Sequence, residues 1–161
     1  MGTFTLVHVV ISLIGILSGI VVLLGFLRGK RLDRWNSIFL IATILTSATG
    51  FLFPFHKLLP SHILGAMSLV VLAVALFARY ARHMDGTWRR TYVITSSVAL
   101  YFNVFVLIAQ MFQKIPALKV LAPTQSEPPF LLAQLVCLVL FTVLTILAAI
   151  KFRLEPLVTA A

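Results

Sequence analysis

The chain has 161 residues, 61% of them hydrophobic and 11% charged, where a soluble domain is about half apolar and a quarter charged. So little polar surface cannot cover a soluble core, and lipid is the solvent this composition suits. The net charge of +9 lies in short clusters between long apolar runs, which excludes the continuous basic face of a nucleic-acid-binding protein.

A membrane-spanning helix needs about 20 mostly apolar residues. Five runs qualify: residues 3–27, 35–55, 60–80, 91–112 and 130–150, none containing Asp or Glu. The expected fold is therefore all-α, a single domain over residues 1–161 formed by a polytopic integral membrane bundle of five transmembrane helices. The first run lacks the positive start and the short apolar core of a cleaved signal peptide, so it reads as a retained span. Leu6 occupies the Ser/Thr position of a myristoylation pattern, which rules that lipid out.

Charge sets the orientation. Arg28, Lys30, Arg31, Arg34, Arg79, Arg82, Arg89, Arg90, Lys151 and Arg153 fall on one side, and Lys57, Lys114 and Lys119 on the other. A ten-to-three split places the first set in the cytoplasm, with the amino terminus outside and the carboxyl terminus cytoplasmic. A multi-pass protein of a bacterial inner membrane is the expected location. Asp85-Gly86 marks the third loop and prolines bracket the second. The outer loop 113–129 is punctuated by Pro123, Pro128 and Pro129, which predicts order without helix throughout.

Polar residues inside the runs fall into stripes at about 100° per residue. Tyr92, Ser96, Asn103, Gln110 and Lys114 share a sector of the fourth run. His8, Ser12, Gly15 and Gly19 share a face of the first, and Asn36, Thr43, Ser47, Gly50 and Pro54 one of the second. Unpaired polar groups cost free energy in lipid, so these faces are expected to meet one another as a polar seam. Small residues such as Gly15 and Gly19 let helices approach closely. No carboxylate lies in any run, which argues against a proton-driven pump.

The same topology brings His8, His56, Lys57, His62, Gln110 and Glu127 to the outer interface. His8, His56, His62, Asn103, Gln110 and Glu127 are thus the candidate ligand-binding residues. Imidazoles and a carboxylate could hold haem iron or another metal, although the spacing of His56 and His62 has no metal-motif specificity, so haem or metal is an alternative rather than the main expectation. Cys137 is the single cysteine, which removes disulfide and cysteine-cluster chemistry. Phosphate loops, nucleophile elbows and zinc-protease motifs are absent. The sequence therefore predicts a non-catalytic helical-bundle subunit or a binder of a small or lipidic ligand. Its expected partners are the bilayer, other membrane subunits or further copies in a homo-oligomer. The alternatives are a haem- or metal-binding redox protein, and a channel or facilitator along the Asn103–Gln110 stripe.

Overall fold

The computed structural model describes residues 2–53 and 60–153, and His56 and Lys57 lie outside them. The described chain is helical and contains no strand. Helix α1 spans Thr3–Leu27, α2 Asp33–Gly50, α3 Pro60–Leu76, α4 Thr87–Lys114, α5 Pro116–Leu121 and α6 Pro128–Lys151. A π-helical turn, Phe77–Ala81, continues α3. Four of the described helices are long and apolar enough to cross a membrane: α1, α3 with its π turn, α4 and α6.

Helix α2 is shorter and more polar, with 18 residues that include Asp33, Arg34, Asn36, Thr43 and Ser47. At 1.5 Å per residue it is about 27 Å long. Its polarity reflects its position, since Asn36, Thr43 and Ser47 are buried against its neighbours.

Helix α4 packs against all four other long helices, which form an arc around it in the order α3, α2, α1, α6. The core joins Phe26 of α1, Phe39 and Leu40 of α2, Leu72 and Ala75 of α3, Tyr92 and Leu100 of α4, and Phe141 of α6. A smaller core of Phe112, Ala122 and Phe130 sits under α5 at the opposite end from the basic loops. Gln125 fastens the connecting loop there by donating to the Ala109 carbonyl at 2.7 Å.

Local chemistry explains the helix ends. Gly29 has φ +68°, and the amides of Gly29 and Lys30 donate to the carbonyls of Phe26 and Gly25. This is a Schellman stop that a side chain would strain. Pro128 and Pro129 do not interrupt a loop; they open α6, where a missing amide costs nothing. The 113–129 loop likewise holds the short helix α5, begun by Pro116.

Candidate functional site

The seam is held by side chains reaching across helices. Asn103 of α4 donates through Nδ2 to Thr43 Oγ1 of α2 at 3.4 Å. Ser47 of α2 meets Ser68 of α3 at 3.2 Å, and Gln134 of α6 donates to the Phe105 carbonyl of α4 at 3.1 Å. All five of these side-chain positions are buried. Gln110 is half-buried two turns nearer the end of α4. Gly19 lies where three helices meet, and an added Cβ would come within 2.6 Å of Leu100 and 2.9 Å of Phe39.

At the histidine end, His8 is half-buried and its Nδ1 lies 2.8 Å from Thr49 Oγ1. Thr49 spends its own hydroxyl proton on the Leu45 carbonyl at 2.6 Å. With Thr49 donating to Leu45, the ring takes the donor role, the neutral tautomer with the proton on Nδ1 and the lone pair on Nε2. Phe53 closes over the ring edge-on at 5.0 Å, and the Lys114 ammonium is near enough to act on it electrostatically. His62 is buried, with its ring tilted against Phe51 at 6.0 Å. His8 and His62 thus rest on neighbouring aromatics that follow α2.

Glu127 is engaged elsewhere. Its Oε1 accepts from the Thr124 amide at 3.1 Å and the Thr124 hydroxyl at 2.8 Å, and Oε2 from the Ser126 amide at 3.1 Å. Desolvation works upward on this carboxyl, but the Thr124 and Ser126 hydrogen bonds prevail and hold it below the usual carboxylate range. It closes its own loop. Among the described residues no group of three or more His, Cys, Asp or Glu is placed to hold a metal ion.

The basic end contains a cluster that charge counting does not anticipate. Arg79, carried by the π turn, is only 6% exposed. Its Nη2 donates to Asp33 Oδ1, and its guanidinium carbon lies 5.6 Å from the Tyr80 ring centre and 5.4 Å from that of Tyr92. Arg31 Nε donates to the same Asp33 oxygen at 2.8 Å. The fully buried Tyr92 donates its hydroxyl proton to Asn36 Oδ1, while Asn36 Nδ2 donates to the Leu32 carbonyl at 2.8 Å.

Desolvation raises the Asp33 carboxyl, yet hydrogen bonds and charge from Arg31 and Arg79 outweigh it and hold the group below its ordinary range. This arrangement ties α2, the end of α3 and α4 into one joint. Asn36 and Tyr92 were visible as stripe residues. Arg79 had one signal, as a lone basic residue inside an apolar run, and Asp33 had none beyond its position at the run's edge.

Compared with protein-family models, with curated proteins and with solved structures, the chain matches none.

Proposed function

We propose that the chain is a non-catalytic inner-membrane protein that crosses the bilayer five times, with the amino terminus outside and the carboxyl terminus cytoplasmic. It serves as a helical-bundle subunit or ligand-binding component. One observation carries this reading: three pairs of seam side chains bond one another across helices. Asn103 bonds Thr43, Ser47 bonds Ser68, and Tyr92 bonds Asn36. A conducting path needs polar groups that face water, whereas paired groups work as glue between helices.

The test is reconstitution of Asn103→Leu in liposomes beside the unmodified chain. Glue predicts lower thermal stability with unchanged permeability to water and small solutes. A selective flux lost in Asn103→Leu would establish the channel instead. Labelling of single cysteines at Ser126 and Asp85 from either side checks the orientation. Ser126 must react from outside and Asp85 from the cytoplasm.

The histidine end supports a second reading, as a haem- or metal-binding site. The favouring observation is the Nε2 lone pair of His8, left available by the Thr49 bond. Absorption spectra of the purified protein, oxidised and reduced, with metal analysis decide it. Absence of a Soret band and of stoichiometric metal ends this reading.

A further inference from the structure

A groove of about 510 Å³ runs between α4 and α6, within the range of small-molecule pockets. Ile94 and Tyr101 of α4 face Leu138, Phe141 and Ile150 of α6 along it, and Arg90 stands at its basic end. From Arg90 to Tyr101 the α4 wall is about 16 Å long, and from Leu138 to Ile150 the α6 wall is about 18 Å. One leaflet of a bilayer has about 15 Å of hydrocarbon. The groove therefore matches a single acyl chain in length and in apolar character. Thr142 does not make its wall polar, because its hydroxyl donates to the Leu138 carbonyl at 2.7 Å.

The basic end has the complementary chemistry for an anionic headgroup. Arg89 is close enough to Arg90 and to Arg153 to be repelled by both. Among the described residues the salt bridges all belong to Asp33, with Arg31 and Arg79, so none neutralises these three cations. Arg89 Nη1 is buried and has no hydrogen-bond partner among the described residues. Helix α4 also begins here without a side-chain cap, and of its first-turn amides that of Trp88 is already taken by the Asp85 carbonyl at 3.0 Å.

We infer that the α4–α6 groove is a binding site for an anionic phospholipid, one acyl chain in the groove and the phosphate among Arg89, Arg90 and Arg153. This rests on the membrane-spanning reading proposed above. It also divides the labour of the basic residues: Arg79 is internally paired, while Arg89, Arg90 and Arg153 await an external anion.

The experiment reconstitutes the full chain in nanodiscs of phosphatidylcholine mixed with phosphatidylglycerol, extracts it gently, and measures retained lipid by native mass spectrometry. With a preference of about fivefold for each basic residue near an anionic surface, retained phosphatidylglycerol should exceed its share by well over tenfold. The triple variant Arg89→Gln, Arg90→Gln, Arg153→Gln should lose that selectivity. Thr145→Trp, which blocks the groove wall, should lower retention of both lipids. Charge removal at the opposite end of the bundle, Lys114→Gln with Lys119→Gln, should leave selectivity in place.

Helical content and thermal unfolding confirm that each variant is folded, and the triple Arg→Lys version of the site should keep selectivity if charge is what counts. Equal retention of the two lipids by incorporated protein would overturn the site while leaving the membrane reading intact. So would loss of selectivity in the Lys114→Gln, Lys119→Gln variant to the same extent. Failure of the helical chain to enter nanodiscs at all would overturn both.

Discussion

The three-helix junction at Gly19 gives the sharpest test of the packing. Replacing Gly19 by Ala puts a methyl 2.6 Å from Leu100 Cδ1 and 2.9 Å from two carbons of the Phe39 ring. Leu100 and Phe39 are each 1% exposed, so neither side chain has open space to move into. Overpacking of this kind costs about 1–3 kcal/mol, offset by about 1 kcal/mol of helix propensity gained on leaving glycine. The expected net loss is about 0–2 kcal/mol, or up to about 6 °C in the unfolding midpoint for a chain of this size.

The neighbouring glycines calibrate the result. At Gly15 the new methyl meets Thr43 Oγ1 at 3.3 Å and nothing else closer than 3.6 Å, so Gly15→Ala should lie within about 0.5 kcal/mol of neutral. At Gly50 the nearest neighbour is 3.9 Å away, and Gly50→Ala should stabilise by about 0.5 kcal/mol. Thermal unfolding of the three variants in one detergent gives the order. A Gly19→Ala protein as stable as Gly50→Ala would refute the close approach of α1, α2 and α4.

Two further perturbations address the basic-end joint. Tyr92→Phe removes the donor to Asn36 Oδ1 and strands a buried acceptor, so it should cost about 1–3 kcal/mol. Adding Asn36→Leu should recover part of that loss, and a double-mutant cycle that comes out additive would show the pair to be uncoupled. For Asp33, the folded-state pKa is depressed, so the carboxylate contributes stability above its unfolded pKa of about 3.9. That contribution is lost as the pH falls through the folded value. Unfolding midpoints of the unmodified chain should therefore drop toward those of Asp33→Asn in acid and separate from them near neutrality. A gap independent of pH would contradict the carboxylate's role.

The long helices were legible because hydrophobic length and helical period carry most of the information in such a chain. The first run and α1 share the same bounds, 3–27, since both are set by where charge begins. Helix α4 starts at Thr87 rather than at the edge of its apolar run, because Trp88, Arg89 and Arg90 continue the helix beyond the apolar stretch. The stripes of α2 and α4 could be read from a fixed 100° step and do lie buried between the helices, with Asn36, Thr43 and Ser47 on one side and Tyr92, Ser96 and Asn103 on the other.

Arg79 was hidden for two reasons. The π turn around it departs from that fixed step, and charge counting treats every basic residue as a surface marker. Glu127 shows the limit of topology as a guide. It shares an end of the chain's path with the histidines, yet donors one to three residues away engage both its oxygens first. Local partners reach a carboxylate at little entropic cost, whereas a site shared between distant segments must order both.

The basic residues that indicate orientation are thus not equivalent in chemistry. Arg31 and Arg79 converge on one carboxylate, and the second of these is buried between two tyrosine rings. A buried guanidinium deprived of its partner would be strongly destabilising, so Arg79 serves the fold and is unavailable to any ligand. Arg89, Arg90 and Arg153 differ in kind: Arg90 lines the end of an apolar groove, and Arg89 feels the charge of both Arg90 and Arg153. Mutual repulsion at that spot is unfavourable unless an anion relieves it. In a bilayer the anions within reach are lipid phosphates, which arrive with the acyl chain the groove can take. Loss of Arg79 should therefore destabilise the bundle whatever lipid is present, whereas loss of Arg90 should matter only where anionic lipid is available to bind.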